Sequence, residues 1–420
     1  MKPKILTTMR EYSPALFRAD LIAGITVAMV ALPLSLAIAI ASGAPPSTGI
    51  ITAVVGGFLI SLLGGSRVQI GGPTGAFIVV VYDVIATHGL SGLILATLMA
   101  GLILIAAALL KAGNLIRLVP EPVINGFTIG IAIIIGTSQL KDFFGLQIEN
   151  LPAEFFPKIE ALWTALDTLS GAALAVGLGT LALILILRRL LPRFPGLIVA
   201  VGVTSALALL AGMPVETITS RFGELPRGLP MPSLPQMNLA LISELLPSAL
   251  IIAFLAGIES LLSAMVADRM IAGKHRPNAE LMAQGFANIG SSLFGGLPAT
   301  GAIARTATNI RAGGKTPVAG LVHALTVLLV MLIAAPVAGR LALPALAALL
   351  MLTAWNMAEP HRWRSYLAER RSDLFLMILT MVLTVVADLT IAIGTGVGVG
   401  LALRLQRRDV PPADWTPPDR

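Results

Sequence analysis

Gly71-Gly72-Pro73-Thr74-Gly75-Ala76-Phe77 and Gly295-Gly296-Leu297-Pro298-Ala299-Thr300-Gly301-Ala302 are two Gly/Pro-rich interruptions at matching places in the two halves of this chain. In water such runs are ordinary turns. In a bilayer, backbone can leave the helix only where it lines a cavity, and a pair of broken helices at corresponding positions marks a transporter's binding site. Composition places the chain in a bilayer. Of 420 residues 56% are hydrophobic and 12% charged, with mean hydropathy +0.89, whereas soluble domains carry about 25% charged residues. The apolar runs recur from end to end at close to the ~20 residues that a helix needs to cross the hydrocarbon. A cleaved signal peptide is not expected, because Met1 to Asp20 is polar and basic and the apolar run from Leu21 continues to Ala41.

We read fourteen membrane segments: 21–41, 47–64, 73–87, 90–110, 120–139, 171–191, 195–212, 243–266, 279–293, 299–312, 317–336, 341–357, 373–388 and 391–405. The expected fold is therefore an all-α membrane protein with half-helices in segments 3 and 10. With both termini cytoplasmic, the 29 Lys and Arg residues fall on the cytoplasmic side except Lys141, Lys158, Arg221, Arg227, Arg340 and the intramembrane Arg305. That bias follows the positive-inside rule. The net charge of +7 then anchors the inner leaflet and gives no reason to expect nucleic acid. Seven plus seven segments force the second half to insert upside down, and Pro33 precedes Gly71 by nearly the same stretch as Glu259 precedes Gly295. Residues 142–170 and 213–242 read as external connectors, the first with a short interfacial helix over Pro157 to Leu169. The tail 407–420 reads as disordered.

If segments 3 and 10 enter from opposite faces, their helix N-termini oppose each other in mid-membrane. Each brings about half a positive charge and unpaired N–H groups, which together hold an anion. The alternative is that the glycines serve close helix packing. Arg305 lies a turn into segment 10, where an arginine costs roughly 2.5–3.5 kcal/mol on insertion scales. Its partner is an anionic substrate, Glu259 or Asp83, unless it snorkels toward Arg311. Glu259 sits mid-way along segment 8 among apolar neighbours, which suits it to take up a proton or coordinate a cation. An ion pair with Arg305 is the structural alternative. Ser260 and Ser263 are placed to help ligate a cation or to join helices. Asp83 and Asp388 read as interface residues, and Asp20 and Asp268 as helix-end residues. There is no cysteine. His88, His275, His323 and His361 form no metal-spaced set, so neither a cofactor nor an enzyme is expected.

The run Asn288-Ile289-Gly290-Ser291-Ser292-Leu293-Phe294 through Gly295–Ala302 to Ile303-Ala304-Arg305-Thr306-Ala307-Thr308-Asn309-Ile310, with Gly313-Gly314-Lys315-Thr316-Pro317, resembles the segment 9 to 10 signature of the SulP anion transporters, the sulfate permease family. Ala31-Leu32-Pro33-Leu34-Ser35-Leu36, Gly72-Pro73-Thr74 and Glu259-Ser260-Leu261-Leu262-Ser263 fit too. The resemblance implies a 7+7 inverted repeat in which segments 1–4 (21–111) and 8–11 (243–336) form a mobile core domain. Segments 5–7 (112–212) and 12–14 (337–406) would form a gate, flanked by the N-terminus 1–20, the connector 213–242 and the tail 407–420. It implies an anion site at Gly75, Ala76, Phe77, Gly301, Ala302 and Ile303, with Leu34 and Ile38 from segment 1, and coupling to protons or sodium at Glu259. The family's segment 1 commonly reads Pro-Gln-Gly-Met-Ala-Tyr where this chain has Pro33-Leu34-Ser35-Leu36-Ala37-Ile38, so a polar substrate contact is missing. Its usual STAS domain does not follow segment 14 in this sequence. The expectation is proton-coupled symport of a dicarboxylate such as fumarate by an elevator motion, in the cell membrane, with a homodimer allowed. Sodium-coupled bicarbonate or sulfate uptake, a nucleobase permease and an anion channel are the alternatives.

Overall fold

In the computed structural model, residues 2–114, 120–148, 151–152, 154–191, 195–387 and 389–406 are described. Asp388 and the tail 407–420 lie outside them. Among the described residues the fourteen expected segments appear in order, and several run past their apolar stretches. Segment 1 is Pro14–Ala41, beginning where Ser13 caps the helix by accepting from Leu16 N and Pro14 supplies a fixed φ at the first helical position. Segment 2, Pro46–Leu63, contains a π-helical turn over Thr52–Gly56. Segments 3 and 4 form one helical stretch, Gly75–Leu109, broken at Gly89, whose φ of 69° and ψ of −176° only glycine adopts readily. Segment 5 is Glu121–Phe144, segment 6 Gly171–Leu190, segment 7 Gly196–Leu210 and segment 8 Leu239–Ile271. Segment 9 is Pro277–Leu293, segment 10 Ile303–Arg311 and segment 11 Val318–Ala338. Leu343–Met357, Arg371–Val386 and Leu389–Gln406 complete the set. The interfacial helix of the first connector is Phe155–Thr164, followed by a 3-10 turn at Leu166–Thr168.

Two helix clusters emerge from the packing. Segments 3 and 4 lie against 8 and 9, and segment 1 against 11, while segment 5 lies against 12 and 13. One face of the molecule gathers the N-terminus: Lys4 N donates to Gly64 O, and Arg276 Nη1 to Lys2 O at 2.8 Å. On that face the fully buried Asp20 accepts from the N–H groups of Lys315 and Thr316, a cap for the turn into segment 11. The opposite face carries the connectors, tied down by Arg221, which pairs with Asp142 at 2.7 Å and with Glu216.

The sequence interruptions become two short strands, β1 (Gly71–Gly72) and β2 (Thr300–Gly301), paired antiparallel with Gly71 opposite Gly301 and Gly72 opposite Thr300. Each strand leads directly into its helix. Because the pair is antiparallel, the helix after β1 runs toward the connector face and the helix after β2 toward the N-terminal face. Their amino ends therefore meet at the strand pair, deep in the protein.

Candidate functional site

A non-helical passage at this depth is viable only if every backbone group finds a partner inside the protein. Polar side chains from neighbouring helices supply them. Asn288 acts as a stand-in strand, accepting from Ala299 N at 3.0 Å and donating to Ala299 O at 2.8 Å. Thr52, in the π turn, accepts from Leu297 N at 2.6 Å, and Ser291 donates to Leu297 O at 2.6 Å. Thr300 Oγ1 donates to Ala256 O, Asn309 Nδ2 to Val68 O and Ala302 N to Ile70 O. Below β1, Glu280 Oε2 accepts from Gly65 N at 2.8 Å and Ser66 N at 3.1 Å. Its other oxygen accepts from Gln284 and Ser260.

Arg305 is 2% exposed and does not reach the surface. Its Nη2 donates to Pro73 O at 2.9 Å and Ser35 Oγ at 3.3 Å, so the guanidinium spans from segment 10 across β1 to segment 1. It lies against Gly72, where a Cβ would sit 2.3 Å from Nη1 and where φ is 152°. Nε and Nη1 are buried without a hydrogen-bond partner. Unused guanidinium donors at the meeting point of two helix N-termini have the chemistry to hydrogen-bond an acceptor-rich anion.

Glu259 comes to the same place from segment 8, half-buried, with its Oε2 accepting from Thr74 Oγ1 at 2.7 Å. It is thus linked to the residue before the first turn of segment 3. Ser263, one turn on, donates to Thr306 Oγ1 at 3.2 Å, and Thr306 accepts from Ile70 N, so Ser263 joins segments 8 and 10. Gly75 and Phe77 are buried and Ala76 is half-buried at the start of segment 3. Gly301 and Ala302 are buried, and Ile303 half-buried, at the start of segment 10. From the other cluster, Met357 and Ile135 roof Gly75, with Met357 Sδ 3.3 Å and Ile135 Cδ1 3.4 Å from where its Cβ would be. In segment 1, Ile38 is 2% exposed within the main apolar cluster and Leu34 packs against that cluster. The segment 1 side chain in contact with Arg305 is Ser35. Asp83 is exposed near the connector face, away from Arg305.

Sequence reading missed Ser35, Thr74 and Thr306 as neighbours of the charged pair. All three lie inside the quoted motifs, which was the signal they carried. Glu280, which nothing in the sequence singled out, is fully buried. Among the described residues no group of three or more His, Cys, Asp or Glu is placed to hold a metal ion.

The Sulfate permease family profile matches residues 17–380. YvdB of Bacillus subtilis (strain 168), designated provisionally as a sulfate transporter, is 44% identical over 383 residues, covering 91% of this chain and 72% of that protein. The bicarbonate transporter BicA of Synechocystis is 33% identical over 386 residues, covering 89% of this chain and 67% of its own. The solved transmembrane domain of a cyanobacterial BicA superposes with a TM-score of 0.81 at 31% identity, over 93% of this chain and 98% of that one. Murine Slc26a9 in the inward-facing state, at 19% identity, shares the fold with a TM-score of 0.87 over 96% of this chain and 71% of its own. The chain thus belongs to the sulfate permease family, as a multi-pass membrane transporter of anions and not an enzyme.

Proposed function

We propose that this protein is a secondary active carrier that takes a small oxyanion, sulfate or bicarbonate, into the cell together with a proton. The observation that carries the reading is Arg305: a buried guanidinium with two unused donors, set where the first turns of segments 3 and 10 converge. Two half-helix dipoles and one fixed cation give an anion hydrogen bonds and charge while excluding neutral solutes. The sulfate and bicarbonate named for YvdB and BicA fit this chemistry. Ser35, whose hydroxyl donates to Ala31 O and accepts from Arg305 Nη2, helps fix the guanidinium in place. A dicarboxylate such as fumarate is the second reading, favoured by the apolar Leu34 beside Ser35.

Glu259 is the coupling residue of this proposal. A single carboxylate with one hydroxyl neighbour is a poor cage for a hard cation, whereas it can take up and release a proton from solvent in the pocket while the Thr74 hydroxyl keeps it oriented. In the proposed cycle, proton uptake on Glu259 and anion binding at Arg305 offset each other's charge. Segments 1–4 and 8–11 then slide as a core past a gate of segments 5–7 and 12–14, with Met357 and Ile135 on the gate side of the pocket. Both termini lie in the cytoplasm, as the Lys and Arg distribution favours.

Proteoliposomes given labelled sulfate, bicarbonate or fumarate under imposed proton or sodium gradients test this. Saturable uptake of sulfate or bicarbonate, concentrated by an inward proton gradient, is expected. Non-saturating flux, or concentration driven by sodium alone, overturns the reading.

A further inference from the structure

A cavity of about 750 Å³ opens on the connector face, and its wall includes Ile78 and Val79, the residues directly after Phe77 in segment 3. From there it extends past Tyr82 to Lys158 of the interfacial helix. Lys158 is an anomaly. Its helix, Phe155–Thr164, turns Phe156 and Trp163 outward at 63% and 75% exposure, yet Lys158 is 4% exposed. A buried ammonium demands a counter-charge or a hydrogen bond. The other cations of the cavity have theirs: Arg221 is paired with Asp142 and Glu216, and Lys141 Nζ donates to Ile148 O. Among the described residues Lys158 has no carboxylate within 4 Å, and its contact is the face of the Tyr82 ring, 5.7 Å from Nζ to the centroid. That ring is itself fixed, since Tyr82 Oη donates to Leu151 O. Burial holds the Lys158 ammonium below the ordinary lysine range.

Three carboxylates share the wall. Asp142 is committed to Arg221, while Asp83 and Glu154 are exposed. Among the described residues Lys158 is therefore the cation of this wall that rests on an aromatic ring and has no carboxylate of its own. We propose that this cavity is a capture site for small oxyanions on their way to the mid-membrane pocket, with the Lys158 ammonium as its recognition group. The site rests on the reading of the protein as an anion carrier and deepens it. A fixed cation at the mouth raises the local anion concentration one short step from the amino end of segment 3. The Tyr82 ring shields the ammonium on one side and leaves its N–H donors for the cavity.

The test uses Lys158→Gln, which removes the charge, and Lys158→Arg, which keeps it. In proteoliposomes of controlled sidedness, Lys158→Gln raises the half-saturating sulfate or bicarbonate concentration at the connector face at least threefold and leaves the value at the opposite face unchanged. Lys158→Arg stays within twofold of the parent. A change equal on both sides, no change, or an arginine variant that behaves like the glutamine one overturns the proposal. A second arm needs no transport. Calorimetric titration of sulfate into protein carrying Ala302→Phe, which blocks the mid-membrane pocket, leaves one weak binding event that disappears when Lys158→Gln is added. Absence of that event, or its survival without Lys158, sinks the capture site even if the carrier reading stands. Failure of all anion uptake by the parent, with the weak event intact, counts against the carrier reading alone.

Discussion

At the level of single residues, one acid and one base from different segments, Glu259 and Arg305, meet beside the strand pair. Glu259→Gln keeps the hydrogen bond with Thr74 and removes the titrating group. We expect uptake that no longer responds to pH or to a proton gradient, in a protein that still elutes as a folded species. Retention of the parent's pH profile would remove Glu259 from the coupling step. Arg305→Ala deletes the two unused donors together with the ties to Pro73 and Ser35. Hydrogen bonds to charged groups are worth about 1.5–3 kcal/mol, so the half-saturating anion concentration should rise by roughly 10- to 100-fold, read from uptake kinetics. Both residues were conspicuous in the sequence because ionisable groups are costly in apolar segments. Ser35, Thr74 and Thr306 were not, since a hydroxyl on a helix looks the same whether it bonds its own turn or a neighbouring segment.

At the scale of elements, the antiparallel pair β1–β2 is held by side chains that sit far away in sequence. Gly301 shows how tight the fit is, for a Cβ there would lie 1.5 Å from Gln69 Nε2, which in turn bonds Ser260. Gly301→Ala therefore forces the strands or Gln69 to move, and overpacking of this kind costs about 1–3 kcal/mol. Thermal unfolding in detergent should show a clear fall in Tm together with loss of uptake, and an unchanged Tm would mean the pair is looser than described. The two interruptions were legible from Gly71–Gly75 and Gly295–Gly301, because Gly and Pro clusters inside an apolar run can only be read as broken helix. Their hydrogen-bonded pairing was not legible, since two-residue strands have no periodicity. The joining of segments 3 and 4 into one stretch bent at Gly89 was equally hidden, because a break at glycine and a loop at glycine look alike in sequence. Segment 1 begins at Pro14, a full two turns before its apolar run, which hydropathy cannot register and the Ser13-Pro14 capping pattern can.

At the scale of the whole molecule, the segment order and the inverted relation of the halves were readable from charge bias and segment count, the grouping of segments 1–4 with 8–11 was implied by the family resemblance alone, and the particular contacts of segments 3 and 4 with 8 and 9 and of segment 1 with 11 came from the fold. The chain contains no cysteine, so single cysteines report sidedness cleanly. A cysteine at the exposed Ser233 on the connector face should react with an impermeant maleimide applied to intact cells, and one at the exposed Lys274 only after permeabilisation. The reverse pattern would invert the proposed direction of uptake. Selenate, a sulfate mimic with an anomalous edge, can locate the anion relative to the place where the two half-helices meet. After selenate has been shown to compete with sulfate for uptake, a crystal soaked in it and measured at the selenium edge should give a peak between Gly75–Phe77 and Ala302–Arg305, within hydrogen-bond distance of the Arg305 guanidinium. A competing selenate that leaves this point empty and occupies another site in the membrane region would contradict the account.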